Sequence, residues 1–201
     1  MLLMLGLLNW PRSGSAQEAS AETFVLQVGR QVYRVQPGVP FVLTTPGGER
    51  LEVVLRRPEG QHYEGDGVAF DYPAELQLQR EAADGVITLT LEGTASPFVL
   101  VQIYPPEADA ATMQRELVDA LQHEYTQRGA MVSGEADIRQ AIGGQEQDGK
   151  RLSVQLGGQM LVLEVYALQK EEAAVVLLLQ HDAEEASLAR RYFGQLLQTL
   201  R

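Results

Sequence analysis

The residues best placed to do chemistry lie in one acidic segment, residues 62 to 71. Glu64, Asp66 and Asp71 lie close together there, beside glycines, and His62 precedes them. Hard cations such as calcium or manganese bind several carboxylate and carbonyl oxygens on loops of this kind. The spacing differs from that of an EF-hand. Two hypotheses follow: a weak metal site, or a turn in which Asp66 bonds to the neighbouring backbone.

Other motifs that would indicate catalysis lack their partners. His62, His123 and His181 are isolated from one another, and His123 has no second histidine four residues away, as a zinc protease requires. No serine lies in a Gly-x-Ser-x-Gly motif, and no glycine pair precedes the Lys-Ser/Thr of a phosphate loop. We therefore predict no catalytic residue and no cofactor.

Two alternatives stay open. One is a hydrolase or metal-dependent enzyme whose site assembles around His62, Glu64 and Asp66. That hypothesis requires a concave pocket with convergent polar groups and shifted pKa values near residues 62 to 71. The other is a small-ligand carrier, with an apolar cavity beneath a long helix around Leu117 and Leu121.

Composition limits the partners. With 201 residues, 45% of them hydrophobic and 21% charged, the chain suits one core, or one core with a small appendage. The formal net charge is -11 and no cluster of lysine or arginine interrupts it, which disfavours nucleic acid and anionic membrane surfaces as partners. The absence of cysteine excludes disulfides and thiolate sites.

Residues 1 to 21 have the order of a secretory signal. An apolar run from Leu2 to Leu8 is followed by two small-x-small sequences, residues 14 to 16 and 19 to 21, either of which suits cleavage. A membrane-spanning helix needs about 20 apolar residues, so no span is predicted. No Lys or Arg precedes the apolar run, which leaves a disordered tail as the alternative. The prediction is export to the periplasm or the medium.

Residues 22 to 60 alternate short β-prone runs with Gly and Pro turns, which predicts a small N-terminal β segment of three or four strands. Its buried side is expected to consist of Val32, Phe41, Leu43, Leu51 and Val53. The segment is too small to hold a core alone, and its sheet edges are candidates for pairing with a partner strand. The polar stretch at 56 to 61 is predicted as the linker to the main domain.

The main domain is predicted to begin with strands at about 67 to 72, 86 to 92 and 98 to 104. A charged turn is expected at 81 to 85. Pro105-Pro106 ends the last of these strands, since proline cannot donate to a sheet.

A helix is then predicted from an N-cap at Asp109 to a left-handed residue at Gly129. Its apolar residues step by four and form one buried face. They are Met113, Leu117, Leu121 and Tyr125, with Val118 beside them.

Four more strands are predicted, at about 131 to 142, 145 to 156, 159 to 168 and 173 to 180. The second is expected to be interrupted near residues 148 and 149. The last is apolar without alternation, which is typical of a central strand with both faces covered. Asp182, with Glu185 three residues later, predicts a capping box at the start of a final helix. That helix has its own apolar stripe, formed by Leu188, Tyr192, Leu196 and Leu200 with Phe193 and Leu197.

This order of elements and several short motifs resemble the Mog1/PsbP-like superfamily, within it the PsbP domain and DcrB-type bacterial envelope proteins. The similarity covers about residues 61 to 201. It rests on Tyr63, Gly65, Asp66, Gly67, Phe70, Tyr72 and Pro73, on Ile103-Tyr104-Pro105, and on the closing run from Tyr192 to Leu200.

The resemblance implies an α+β fold. Its antiparallel sheet lies between a long central helix and a C-terminal helix as an α/β/α sandwich, here with an N-terminal β-hairpin extension. The resemblance also implies a non-enzymatic module that binds a protein partner or assists assembly in the bacterial envelope. It transfers no catalytic residue to this chain.

Overall fold

The computed structural model describes residues 24–36, 38–45, 47–55 and 60–201. The chain forms two compact units, the N-terminal unit (residues 1–57) and the C-terminal unit (residues 58–201). The predicted secretory signal and most of the predicted linker lie outside the described residues. Among the residues that are described, no helix is long and apolar enough to cross a membrane.

The described residues of the N-terminal unit form two antiparallel hairpins. Its strands are β1 (Phe24–Val28), β2 (Gln31–Val35), β3 (Pro40–Thr44) and β4 (Arg50–Val54). The inner faces meet where the rings of Tyr33 and Phe41 lie 6.1 Å apart, and Val35 and Leu43 are buried there. Two residues predicted as buried are exposed: Val32 is 63% exposed and Leu51 39%. Successive side chains alternate between faces, so a strand whose Tyr33 and Val35 face inward has Val32 and Arg34 on the outer face.

The C-terminal unit contains the other strands and the two helices that the structure describes. The strands are β5 (Gly60–Gly65), β6 (Val68–Pro73), β7 (Gln77–Ala83), β8 (Val86–Glu92), β9 (Phe98–Tyr104), β10 (Met131–Ile142), β11 (Gln145–Leu156), β12 (Gln159–Gln169) and β13 (Ala174–Asp182). The helices are α1 (Ala110–Gln127) and α2 (Ala186–Thr199), with a 3-10 turn at Ala183–Glu185 before α2.

Seven of these strands form one antiparallel sheet in the order β10-β11-β12-β13-β9-β8-β7. β13 lies in the middle, as its continuous apolar sequence predicts. Val175 and Val176 point to opposite faces of the sheet, and both have 0% exposure. A strand whose two faces are both covered can be apolar along its whole length without exposing that surface to water.

Each face of the sheet has its own hydrophobic core. On one face α1 packs through Leu117 and Leu121 against residues such as Leu163. On the other face α2 packs beside the β5–β6 hairpin, where Phe70 and Leu196 are buried. The predicted α+β sandwich is therefore confirmed, with the hairpin as an additional part of the second layer.

The ends of α1 follow the predicted capping pattern. The Asp109 side chain accepts a hydrogen bond from the Thr112 N–H at 3.2 Å. At the other end Gly129 adopts φ 79°, and the Ala130 N–H donates to the Tyr125 carbonyl. Each large side chain that the helix buries contributes about 1.5 to 3 kcal/mol, so docking to the sheet is what stabilises it.

The start of α2 differs from the predicted capping box. Asp182 caps the 3-10 turn through the Glu184 N–H, and α2 begins after it. The Glu185 carboxylate accepts from the Ser96 N–H at 2.9 Å, while the Ser96 hydroxyl accepts from the Asp182 N–H at 3.0 Å. The predicted capping box was wrong because Ser96, a loop residue distant in sequence, binds both the Glu185 carboxylate and the Asp182 N–H.

The strand pattern also contains two departures from prediction. β5 and β7 are additional strands, and the predicted charged turn reduces to Asp84 and Gly85, both with positive φ. β11 continues through the position of its predicted interruption. Gly149 pairs with both neighbouring strands there, because a bare backbone lets the Tyr166 ring lie directly over it.

Candidate functional site

The acidic segment lies on the β5–β6 hairpin. Its turn consists of Asp66 and Gly67, with φ values of 55° and 78°. Two consecutive residues with positive φ form the turn that best fits the twist of a two-stranded hairpin, and Asp and Gly are residues that tolerate it. The hairpin is held to the core by Phe70, whose ring centre lies 5.3 Å from that of Tyr63.

The Asp66 carboxylate is fully engaged by two side chains. Arg80 of β7 donates to both of its oxygens, at 2.8 and 2.9 Å, and the Tyr63 hydroxyl donates at 2.5 Å. These hydrogen bonds, those from Arg80 above all, lower the pKa of Asp66 to about 2. Burial, with a smaller effect of the Asp66 hydrogen bond, raises the pKa of Tyr63. Asp66 therefore stays ionised and links the hairpin turn to β7.

His62 lies between the other two carboxylates of the segment. Its Nδ1 atom is 2.6 Å from the Asp71 carboxylate, and its Nε2 atom is 3.7 Å from that of Glu64. The two ring nitrogens point away from each other, so the two carboxylates lie on opposite sides of the ring. All three side chains are at least 44% exposed.

The three predicted metal-binding carboxylates thus do not converge on one point. Asp66 binds Arg80, and Asp71 and Glu64 lie at the two nitrogens of His62. Within the described part of the chain, no group of three or more His, Asp or Glu side chains is arranged to hold a metal ion. Metal binding by Glu64, Asp66 and Asp71 stays a prediction.

A shallow cavity of about 290 Å³ lies beside this turn. It is lined by Glu64, Gly65, Gly67, Val68, Ala69, Glu172 and Arg201. His62 and Asp66 are not part of its lining, so the carboxylate with the lowered pKa does not face the concave surface. An enzyme of the predicted kind needs both features in one place, and the geometry here gives that alternative no support.

The carrier alternative also gains no support. Leu117 and Leu121, beneath which an apolar cavity was expected, are 4% and 3% exposed within the core under α1. The remaining histidines have local partners. His123 lies 2.7 Å from the Gln127 amide, and His181 bonds to the Asp182 carbonyl where β13 meets α2.

A different group of residues stands out by exposure. Among the described residues, the large apolar side chains that remain exposed lie on the N-terminal unit, apart from Met131 and Met160. They are Phe24, Val25, Val32, Val39, Val42, Leu51 and Val54. Sequence pattern marks these positions as apolar, but strand register decides which of them face water. That register was not deducible from the short strands, where turns rather than a buried face set the pairing.

No protein-family model matches the chain, and no curated protein matches it. Solved structures do. The match to cyanobacterial PsbP (CyanoP) from Synechocystis sp. PCC 6803 has a TM-score of 0.51 and 14% identity, and covers 71% of this chain and 92% of that one. At this identity the match shows the fold alone: the chain has a Mog1/PsbP-like fold.

Weaker matches were found to other structures. The Saccharomyces cerevisiae Ran-binding protein Mog1p matches with a TM-score of 0.44 and 11% identity, over 71% of this chain and 94% of that one. LpqN of Mycobacterium tuberculosis, involved in cell envelope biogenesis, matches with a TM-score of 0.39 and 13% identity, over 71% and 84%. A Bacteroides thetaiotaomicron protein matches with a TM-score of 0.46 and 12% identity, over 72% of this chain but only 48% of that one. This chain thus spans about half of its length.

Proposed function

We propose that the protein is an exported, non-enzymatic module of the bacterial envelope that binds another protein, as an adaptor or an assembly factor. The observation that supports this proposal most is the exposed apolar surface of the N-terminal unit. Val25 and Val32 are 69% and 63% exposed on the outer face of the β1–β2 hairpin. Apolar side chains grouped in this way on a small β unit are typical of a surface that another protein covers.

The side chains of the β1–β2 hairpin indicate which kind of partner surface would be complementary to it. Arg34 lies opposite Val25 in the β1–β2 register, and Arg30 lies in the turn. Residues 24–36 contain no acidic side chain. The face is therefore aliphatic and cationic, and a complementary partner presents an apolar patch flanked by carboxylates.

Export rests on the sequence of residues 1 to 21. If it is correct, the protein purified from its native host begins after one of the small-x-small sites, near residue 16 or residue 21. Mass spectrometry of the intact protein from an envelope fraction measures this directly. An unprocessed chain recovered from the cytoplasm would contradict export but leave protein binding untouched.

Protein binding is tested by pull-down from an envelope extract of the native host with the full chain as bait, at low and high salt. A specific partner is expected to be lost from the double variant Val25→Thr/Val32→Thr, which keeps side-chain shape and β propensity but removes the apolar face. The matched control is Val162→Thr, a partly buried position on β12 of the C-terminal unit. Equal capture by wild type, variant and control would refute this surface as the binding site.

A further inference from the structure

β7 is one of the two outer strands of the seven-stranded sheet. It pairs with β8 without a break in register from Gln77 to Ala83. On its other side, no hydrogen bond from the described part of the chain reaches the β7 backbone. All of its residues except Leu78 are exposed. This strand therefore presents a regular open edge.

The turn after β7 determines which backbone groups point outward. Asp84 and Gly85, with φ 52° and 79°, form a two-residue turn with positive φ at both positions. Residues that flank such a turn make a hydrogen-bonded pair, here Ala83 with Val86, and hydrogen-bonded and non-hydrogen-bonded pairs then alternate along the strands. The N–H and C=O groups of Leu78, Arg80 and Ala82 are thus the ones directed away from β8.

The opposite outer strand, β10, is protected against strand addition. Its register shifts between Ser133 and Ala136, and Gly134 there has φ 67°. Lys150 places its ammonium against the carboxylates of Glu135 and Asp137 at 3.1 and 2.8 Å. Bulges and charged side chains are how native sheets prevent edge pairing. β7 has no bulge or proline, and its Arg80 side chain is already bound to Asp66.

The side chains around β7 differ between its two faces. Glu81 and Gln79 lie on one face, beside Glu92 of β8, whose carboxylate accepts a hydrogen bond from Gln79 at 2.9 Å. Leu78 and Ala82 lie on the other face, opposite Leu91 and Ile87 of β8. An added strand would meet carboxylates on one face. On the other it would meet Leu78 and Ala82, with the Asp66-bound Arg80 between them.

The C-terminal unit as a whole is negatively charged, like the face of β7 that carries Glu81. Residues 58–201 contain 23 acidic and 10 basic side chains. A basic segment is attracted to such a surface before contact and is paired with Glu81 and Glu92 after it.

We propose that β7 accepts an extended, basic segment of a partner protein as an eighth strand. The basic side chains of the partner segment lie beside Glu81. Its aliphatic side chains, at every second position, lie beside Leu78 and Ala82. The main chain supplies hydrogen bonds to Leu78, Arg80 and Ala82, and the side chains supply the selectivity. This surface is on the C-terminal unit and does not depend on the apolar hairpin face proposed above.

The test uses the full chain and a capped, fluorescently labelled peptide of about eight residues, the length of β7, with lysine and valine alternating. Binding is expected by fluorescence anisotropy at low salt and weakens as salt is added. Ala82→Pro removes one outward N–H and should weaken binding about tenfold. Ala82→Val retains that N–H and is the matched control, with binding at least as tight as that of wild type.

Hydrogen exchange on the wild-type complex gives a second readout that does not depend on the stability of the proline variant. The amides of Leu78, Arg80 and Ala82 are expected to gain protection, whereas those of Gln79 and Glu81 are already bonded to β8.

Three results would each overturn the proposal: protection elsewhere, equal binding by Ala82→Pro and Ala82→Val, or equal binding of a glutamate–valine peptide. The Val25→Thr/Val32→Thr variant should bind the peptide like wild type. Loss of peptide binding therefore does not test the hairpin surface, and loss of the pull-down partner does not test β7.

Discussion

Asp66 shows how one side chain in a turn determines the position of a whole hairpin. Its left-handed backbone closes the β5–β6 turn, while its carboxylate is bonded to Arg80 of β7. The side chain is only 18% exposed. The sequence alone fits Asp66 as a metal ligand or as a structural residue. Its contact with Arg80 makes it a structural link between the β5–β6 turn and β7.

We predict that Asp66→Asn lowers stability by about 1 to 2 kcal/mol, since the half-exposed Arg80 loses a charged partner while asparagine still tolerates the turn. The folded pKa of Asp66, about 2, lies below its ordinary value of 3.8. The stabilisation is therefore complete above about pH 3.8 and is lost as the pH falls toward 2. Urea unfolding at pH 7 and at pH 2.5 measures this. A variant whose stability differs from wild type equally at both pH values would contradict the assignment.

Lys170 is the opposite case, a charge without a partner. Its Nζ atom is shielded from solvent and is the buried side-chain polar atom that has no hydrogen bond among the described residues. Burial lowers the pKa of its ammonium group below the ordinary 10.5. The charged form is thus disfavoured in the fold, and the position costs stability at neutral pH.

We predict that Lys170→Met raises stability by about 1 to 3 kcal/mol, because the apolar stem stays buried and the unpaired group is removed. For a chain of this size the melting temperature rises by about 2 to 4 °C per kcal/mol. In wild type alone, stability should increase with pH toward 10.5, since the folded state binds fewer protons than the unfolded state there. Lys150→Met is the control: Lys150 has two carboxylate partners, so its removal should be neutral or slightly destabilising.

At the scale of elements, two glycines of the C-terminal unit differ in whether their surroundings leave room for a side chain. Gly149 lies in β11, where an added Cβ would be 2.5 Å from the Tyr166 ring and 3.0 Å from the Val165 carbonyl oxygen. Gly194 lies inside α2, where an added Cβ would meet nothing within 4 Å. The first glycine is required by packing, and the second only weakens the helix.

We predict that Gly149→Ala lowers stability by about 1 to 3 kcal/mol through overpacking against Tyr166. Gly194→Ala should raise stability by up to about 1 kcal/mol through helix propensity. Thermal unfolding of the two variants beside wild type measures both effects. Equal shifts of the same sign would show that the Tyr166 contact does not determine residue 149.

Elements with a strong periodic signal were predictable and weakly patterned ones were not. The step-by-four stripe of α1 and the unbroken apolar run of β13 each correspond to a buried surface that the structure contains. β7 has a half-buried apolar residue only at Leu78, so its polar sequence resembles a loop. The capping box at Asp182 failed because Ser96, distant in sequence, supplies the partner.

The sequence identified the segment that carries the candidate site, but it did not predict which side chains contact one another there. Proximity in sequence brought Glu64, Asp66 and Asp71 together as a hypothesis. In the hairpin, His62 lies between Glu64 and Asp71. Asp66 lies in the turn, where Arg80, fourteen residues later, binds its carboxylate. Partners contributed by another strand follow from topology, which local pattern does not encode.

At the scale of the molecule, the two units differ in composition. Residues 24–57 contain five arginines and two glutamates, whereas residues 58–201 are strongly acidic. The C-terminal unit buries both faces of its sheet, and the N-terminal unit leaves aliphatic side chains in solvent. The acidic sandwich and the small cationic β unit with exposed apolar side chains therefore suit different partners, which supports the proposal that the N-terminal unit binds another protein.

The place of β13 has a consequence for the order in which the chain folds. β7, β8 and β9 form a meander of neighbours in sequence, as do β10 to β13, but the two meanders join only through β9 and β13. The pairing of β9 with β13 closes a loop that contains α1 and three strands. The chain loses the entropy of that loop before the contacts between β9 and β13 stabilise it. On the ribosome, β7 to β9 lack their central partner until α1, β10, β11, β12 and β13 have been synthesised. The pairing at the middle of the sheet, β9 with β13, can therefore form only after β13 has been synthesised, although β7, β8 and β9 are made first.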